Sequence, residues 1–384
     1  MKESRQASFR SLLKRGLAGP GRLTVWGLLA AGCSLHAATL YWDGANGSWN
    51  SASSWSTDPS APTPDPSAFP GANDTAVFNI TGATNLQSVT LDANQSAKKM
   101  NVLGSASGGV TLLGGGSDRI LSLGSGGLEV LDGAGPVMIG SAATGQGVSA
   151  SLTASQTWTN RSASAVIVQN GIGASGAYAL TLSGTNGFRL NGPGTFSGGL
   201  TLSTSTVGIG DDAALGTNTF TLNSGTILVE DFPRTLANKA KINGGTTYWS
   251  GDGALTLTGT GAIPAFAITQ SAAPGINIVN TAPMTISGLY SLCDTTVPNN
   301  NPQSPTLASS ANLTISAEML ECNSGNAYNV NNKGAKFVFT GTGANLTLAG
   351  ANLFGEGASI GRSTEVIAQP GSGFNTITVG GPGG

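Results

Sequence analysis

The 384-residue sequence has few charged residues, few aromatic residues and a single histidine. Charged side chains make up 9% of the chain and aromatic side chains 6%, whereas about 25% charge is usual for a soluble domain. Intrinsic disorder requires low hydrophobicity or high net charge, and the apolar fraction here is 39%. We therefore expect a folded chain. Its 58 glycines favour a turn-rich, all-β structure.

The scarcity of histidine excludes several kinds of site. His36 lies in a segment that we expect to be removed, which would leave the mature chain without the imidazole of Ser-His-Asp triads, Cys-His dyads and histidine-ligated metals. No G-x-S-x-G, Walker or C-x-x-C motif occurs. The stretch "LLGGGSDRIL" (112–121) is similar to a calcium-binding nonapeptide, but it does not recur and is interpreted as a turn. We predict no catalytic residues, no cofactor and no metal.

The N-terminal segment 1–37 has the layout of a secretory signal peptide. Six basic residues precede an apolar run from Leu23 to Leu35, which is shorter than the roughly 20 residues that span a bilayer. We predict cleavage after Ala37. An uncleaved membrane anchor and lipidation at Cys33, within "LLAAGC", are the alternatives. Export predicts an extracellular or cell-surface location.

Removal of this segment makes the mature chain acidic. Six of the 17 basic and one of the 19 acidic residues leave with it, which changes the net charge from −2 to −7. Nucleic-acid binding needs a basic patch, so we expect no nucleic-acid partner. Cys293 and Cys322 remain. An exported pair of cysteines favours a disulfide, and two buried thiols are the alternative.

A fixed period of twenty positions runs through the middle of the chain and is clearest at 179–249. The apolar positions with this spacing are Leu182, Leu202, Leu222 and Ile242. Their polar neighbours are Thr181, Thr201, Thr221 and Lys241. Alternation of this kind is typical of a strand with one buried face. A short fixed period with glycine turns indicates a β-solenoid, in which each coil buries its inner face against the next.

A second strand is expected to keep the same period. Its buried positions would be Val207 and Ile209, then Ile227 and Val229, then Thr247 and Trp249. Farther along the chain, strand-like segments begin at Ala254, Met284, Asn312, Asn345 and Asn375, and this wider spacing indicates longer loops or larger coils. We predict an all-β, right-handed parallel β-helix (β-solenoid) over 81–384. It would follow a Trp-rich N-terminal cap and Pro-rich connection at 38–80.

The segment "YWDGANGSWNSASSW" (41–55) holds three of the chain's six tryptophans. Trp42, Trp49 and Trp55 precede the first expected solenoid strands, where a cap over the raw end of the core is needed. We predict this capping role, and an exposed platform for glycan contact is the alternative. The stretch 58–71 contains five prolines and is expected to run as an extended connection to a first coil strand at 74–80.

Parallel β-helix enzymes such as pectate lyases are the rival class. They use carboxylates clustered with arginine or lysine on one outer face. The best candidate group here is Glu230, Asp231 and Arg234, followed by Glu318 and Glu321 near the second cysteine. A solvated corner with a salt bridge is the alternative for both groups. We expect a protein that is not an enzyme.

The segment "GPGTFSGGLTLSTSTVGIGDDAALGTNTFTLNSGTI" (192–227) resembles the autotransporter-associated β-strand repeat, also called the passenger-associated transport repeat. The matching features are Gly194, "FSGG" (196–199), "LTL" (200–202), "GIG" (208–210), "ALG" (214–216) and "TLNSGT" (221–226). The Trp-rich opening, followed by "FPGANDTAVFN" (69–79), is similar to the N-terminal signature that precedes such repeats.

The resemblance implies an exported passenger β-helix, secreted or displayed on a bacterial cell surface. We therefore expect a non-catalytic scaffold or adhesin-like protein whose partners are surface glycans or other cell-surface proteins. A polysaccharide-binding or polysaccharide-cleaving β-helix protein is the alternative. The sequence leaves no room after Asn375 for an outer-membrane barrel, so outer-membrane association would need a missing barrel or a partner.

Overall fold

The computed structural model describes residues 37–44, 46–259, 266–268, 275–288, 290–291, 306–316, 319–320, 336–341, 343–349, 365–368 and 376–379. Over these ranges the structure is all-β with mostly parallel sheets. Its one helical segment there is the 3-10 turn Ala52–Ser54. The predicted signal peptide, apart from Ala37, lies outside the described residues.

Strands stack in three columns, and each pass of the chain through them makes one coil. The first column contains Thr39–Trp42, Thr75–Phe78, Gln156–Asn160, Leu180–Ser183, Ala240–Ile242, Phe266–Ile268, Tyr290–Ser291 and Met319–Leu320. The second contains Gly47–Ser48, Gln87–Leu91, Val110–Gly114, Val137–Ile139, Val166–Val168, Phe188–Leu190, Thr246–Gly251, Gly275–Ile278, Thr306–Ser309, Lys336–Gly341 and Glu365–Ala368.

The third column has two parts that no strand pairing joins. Val148–Leu152 and Ile172–Ala174 belong to the same large sheet as the other two columns. A separate six-stranded sheet contains Arg234–Leu236, Leu255–Leu257, Met284–Ile286, Leu313–Ile315, Asn345–Leu348 and Thr376–Val379. Four long strands take part in two columns each: Gln95–Val102, Arg119–Val130, Leu200–Ile209 and Phe220–Val229. This pairing pattern is compatible with a β-solenoid.

The predicted periodic stacking is confirmed in the first column. Leu182 pairs in register with Leu202, and the series continues through Leu222 to Ile242. All four side chains are fully buried. The outer series is in register as well: Thr181, Thr201, Thr221 and Lys241. Because successive side chains of a strand point to opposite faces, each repeat adds one apolar residue inside and one polar residue outside.

The prediction for the second column was wrong at its last step. Val207 pairs with Ile227 as expected, but Ile227 pairs with Trp249, where the fixed period predicted Thr247. Thr247 pairs with Gly225 instead. The first column keeps its period at Ile242, so the additional length lies in the corner that contains Gly244 and Gly245.

The wider spacing downstream is also confirmed. In the third column the buried residues Leu255, Met284, Leu313 and Leu346 pair in this order, and Leu346 pairs in turn with Ile377. Every one of these steps along the chain is longer than the step from Leu182 to Leu202. The strands themselves remain short, as in Leu255–Leu257 and Thr376–Val379. The additional residues of each larger coil therefore lie between the strands, and the pairing of strands within the column continues.

The N-terminal segment is itself part of the stack. Thr39–Trp42 pairs in parallel with Thr75–Phe78, so the strand predicted as the first of the coils is the second. The opposite edge of Thr39–Trp42 is covered by the short antiparallel strand Trp55–Ser56. An edge strand would otherwise present unpaired backbone groups.

The proline-rich stretch 58–71 does not run as an extended connection. The Thr57 N–H donates to Pro64 O at 3.0 Å, and the Thr81 N–H donates to Pro59 O at 2.7 Å. These bonds close the stretch into a bent loop against the cap. The fixed φ of proline is compatible with bends as well as with extended chain, so proline content alone does not determine the path.

Candidate functional site

The Trp-rich segment forms an aromatic cluster inside the N-terminal end. Trp42, Trp49 and Trp55 are each 0% exposed. The Trp55 ring centroid lies 5.0 Å from those of both other indoles in edge-to-face geometry, and 5.6 Å from Phe78. The indole N–H of Trp55 donates to Trp49 O at 3.0 Å, and that of Trp49 to Pro70 O at 3.3 Å. The glycan platform, the alternative for these residues, would need exposed ring faces, and the structure places all three rings in the core.

The outer threonines form ladders on two faces. Thr181, Thr201 and Thr221 lie one coil apart in the first column and are partly exposed. A second ladder in the third column, which the sequence analysis did not single out, contains Thr235, Thr256, Thr285, Thr314 and Thr347. Neighbouring strands lie about 4.8 Å apart, so each ladder repeats hydroxyl and methyl groups at that interval.

Glu230, Asp231 and Arg234, the best candidates for the rival enzyme class, lie together where the chain leaves the second column. They line a surface cleft of about 260 Å³, together with Arg189, Asn191 and Phe232. A second cleft of about 540 Å³ begins at the same wall and continues to Asp252, Val279 and Thr281. We call the two clefts together the Phe232 groove.

The charged groups of the groove pair differently from the sequence prediction. Glu230 Oε2 forms its ion pair with Arg189 Nη2, at 2.5 Å. Arg234 donates from Nε to Ile209 O at 3.3 Å, and its guanidinium carbon lies 6.0 Å from the Phe232 ring centroid. The expected salt bridge at this corner is present, but its cation is Arg189. Both partners are more than a third exposed, and such pairs stabilise by about 0–1 kcal/mol.

Asp231 joins the groove through its backbone. Its N–H donates to Asp252 Oδ1 at 2.9 Å, across to the next coil. Asp231 has φ +65°, a left-handed conformation that non-glycine residues seldom adopt and that asparagine and aspartate tolerate best. The turn that follows carries Phe232 outward, and its ring is 64% exposed.

Two glycines form the floor of the groove. Arg189 pairs with Gly208, and Gly208 pairs with Leu228, so Arg189 spans one coil to reach Glu230. A Cβ at Gly208 would lie 3.1 Å from Arg189 Cγ, and one at Gly210 would lie 2.6 Å from Asn191 Cα. The absence of side chains at these positions creates the depression. The two glycines of "GIG" (208–210) are therefore required for the shape of this surface.

Sequence reasoning missed Arg189 and Asp252. Neither the interval from Arg189 to Glu230 nor the interval from Glu230 to Asp252 is a whole number of repeat periods. Arg189 lies in the strand Phe188–Leu190. The strand Leu200–Ile209 lies between it and the strand Phe220–Val229, which ends directly before Glu230. A search for charged residues close to two periods apart would have found the pair of Arg189 and Glu230.

A second ionic group lies on the first column. Glu129 accepts from Lys99 Nζ at 2.6 Å and from Arg161 Nη1 at 3.1 Å, which links three coils. The hydrogen bond from Lys99 lowers the pKa of the Glu129 carboxyl below its ordinary value, and the positive charges of Lys99 and Arg161 act in the same direction. The group fits a role in tying coils together.

The remaining predicted sites lie outside the described residues: Cys293, Cys322, Glu318 and Glu321. Among the residues described, no three His, Cys, Asp or Glu side chains are grouped to hold a metal ion. Within the same ranges, no helix combines the length and the apolar character that crossing a membrane requires. No family model, curated protein or solved structure matches this chain.

Proposed function

We propose that this chain is an exported, non-catalytic scaffold or adhesin-like passenger of the autotransporter-associated repeat type, built as a right-handed parallel β-helix. The observation that carries the proposal is the in-register stacking of one repeated unit, with Leu182, Leu202 and Leu222 inside and Thr181, Thr201 and Thr221 outside. Such a stack keeps the same outer chemistry from coil to coil, which is what a display surface requires.

The length of the stack supports a scaffold role. Among the residues that the structure describes, the second column contains thirteen strands from Gly47–Ser48 to Glu365–Ala368, counting the shared strands Leu200–Ile209 and Phe220–Val229. At about 4.8 Å between neighbours, this column extends over roughly 60 Å. A protein of this length would hold its outer ladders and loops away from an anchoring surface, where cell-surface glycans or proteins are accessible. A disulfide between Cys293 and Cys322 would fit the same oxidising location.

Export is tested by expressing the full chain in a bacterial host and sequencing the N-terminus of the protein from each cell fraction. The proposal predicts a chain that begins at Ala38 and lies outside the cytoplasm. The matched control lacks residues 1–37 and should remain in the cytoplasm. Recovery of the full-length chain as a cytoplasmic protein that begins at Met1 would contradict the proposal.

A polysaccharide-cleaving β-helix is the second candidate. The observation in its favour is the Phe232 groove, which brings the carboxylates of Glu230, Asp231 and Asp252 to one surface beside Arg189. Purified mature protein would be incubated with neutral and acidic polysaccharides, and new reducing ends and unsaturated products would be measured. Turnover that Glu230→Gln abolishes would support this candidate over the scaffold, and absence of turnover supports the scaffold.

A further inference from the structure

We propose that the Phe232 groove binds a neutral polysaccharide chain, with the Phe232 ring as the stacking surface for one sugar. The inference deepens the adhesin-like role proposed above, on which its biological setting rests. It concerns binding alone and requires no bond to be made or broken.

The shape of the groove fits a polymer. The two clefts share the wall formed by Arg189, Glu230 and Asp231, and the second continues past Asp252 to Thr281. The groove thus follows the stacking direction across several coils. Sites for small molecules are usually enclosed cavities that bury most of the ligand, whereas an open, elongated groove leaves room for a chain to enter and leave at its ends.

Phe232 supplies the apolar contact. In the described part of the chain, the ten largest fully buried side chains are all aromatic, including Trp158, Trp249 and Phe220. In contrast, Phe232 is 64% exposed on the rim of the groove. Val279, which is 47% exposed, lines the continuation of the same groove. The groove therefore combines exposed apolar surface with a few convergent polar groups, as ligand sites do. The C–H face of a sugar ring can cover the phenyl face, while the hydroxyls at its edge remain available for hydrogen bonds.

The polar lining favours a neutral ligand. Planar hydrogen-bonding groups line the same cleft as the ring: the guanidinium groups of Arg189 and Arg234 and the amides of Gln169 and Asn191. Asn191 Nδ2 donates to Gln169 Oε1 at 2.8 Å, which fixes the orientation of both amides. The basic pair is outnumbered by the acidic residues Glu230, Asp231 and Asp252. Excess negative charge disfavours uronic or sulfated chains by like-charge repulsion. Sugar hydroxyls can both donate to the carboxylates and accept from the guanidinium groups.

An extended peptide fits the groove less well. Addition of a peptide strand needs free main-chain groups at a sheet edge, but backbone N–H groups on three coils of the groove are already used. Gly210 N donates to Leu190 O at 2.9 Å, Phe232 N to Glu230 O at 2.7 Å, and Thr281 N to Gly251 O at 2.9 Å. Recognition must therefore come from side chains, as in glycan binding.

The test measures binding of the purified mature chain to arrays of neutral, acidic and amino-sugar oligosaccharides, followed by titration calorimetry on the best ligand. We expect binding to neutral oligosaccharides, little affected by raising the salt concentration because no ionic contact is made. Phe232→Ala should weaken it roughly tenfold or more. The matched control is Tyr248→Ala, which removes another exposed aromatic ring outside the groove and should leave affinity unchanged.

Three outcomes would overturn the inference: no neutral oligosaccharide binds, Phe232→Ala binds as tightly as the wild type, or Tyr248→Ala weakens binding equally. Salt-sensitive binding of acidic chains would contradict a neutral ligand and would show that the groove binds acidic polysaccharides. Thermal melting of each variant checks that the fold is intact, and the exposed position of Phe232 predicts an unchanged melting temperature. These outcomes are independent of the export test, so failure of the groove and failure of the exported scaffold are distinguishable.

Discussion

Trp55 lies between Trp42 and Trp49 and also contacts Phe78 at the N-terminal end of the core. Its removal would leave a cavity among fully buried rings. Trp55→Ala is therefore expected to lower the free energy of unfolding by about 3–5 kcal/mol. Urea denaturation of the mature chain measures this, with Tyr248→Ala as a partly exposed control that should change stability by about 0.5 kcal/mol or less.

The same variant separates the two roles that the sequence allowed for the tryptophans. A capping residue affects stability and leaves glycan binding unaltered. Equal stability of Trp55→Ala and wild type would contradict the burial described here. The place of the cluster at the N-terminal end could be predicted from its position ahead of the strands. The hydrogen bond from the Trp49 indole to Pro70 O could not, because it requires the loop 58–71 to fold back, which proline content alone does not specify.

Glu129 makes stability depend on pH. Its pKa is lowered in the folded chain by the hydrogen bond from Lys99 and by the nearby charge of Arg161. The stabilisation is therefore fully present above the ordinary carboxyl value of 4.5 and is lost as the pH falls through the lowered folded value. Compared with Glu129→Gln, the wild type should be more stable at neutral pH, and the difference should shrink below that value.

Urea midpoints of the two proteins measured across the acidic range provide the check on Glu129. A difference in stability that stays constant, or grows, on acidification would contradict the assigned ion pairs. Raising the salt concentration at neutral pH should also reduce the difference, since exposed pairs are screened.

At the scale of single strands, Leu200–Ile209 separates inward from outward positions. Leu202 is fully buried between Leu182 and Leu222, and Thr201 beside it is partly exposed. Leu202→Ala should lower the free energy of unfolding by about 2–5 kcal/mol. Thr201→Ala, the matched control in the same strand, should cost about 1 kcal/mol or less. Similar losses for both variants would show that the two positions do not face opposite sides.

The register of these strands could be predicted because two signals agree. Alternation identifies the inward side of each strand, and the fixed period identifies its neighbour, so Leu182 to Ile242 were placed correctly. The longer step from Ile227 to Trp249 could not be predicted, because Gly244 and Gly245 lengthen a corner without changing the alternation of the strands. Corner length is determined by backbone geometry, and glycine permits many conformations.

The groove shows that a candidate site, too, can be predicted only in part from the sequence. Glu230, Asp231 and Arg234 are close in sequence and could be predicted as one group. Arg189 reaches Glu230 only because Gly208, in the coil between them, has no side chain. A contact across two coils depends on the coil length at each step, and a register error of a single position would turn Arg189 to the inner side.

At the scale of the whole molecule, successive coils are expected to stack along one axis. Spin labels at outward positions of the first column test this directly, in a background without the native cysteines. One label stays at Lys241, and the second is moved to Thr221, Thr201, Thr181 and Thr157 in turn. These positions are one, two, three and four coils away.

Dipolar electron paramagnetic resonance measures the separation of each pair of labels. The account predicts that the distance increases by about 4.8 Å with each coil, to about four times that value for the pair at Lys241 and Thr157. Distances that do not increase in this order, or labels at Lys241 and Thr221 that are as far apart as those at Lys241 and Thr157, would contradict the stacking.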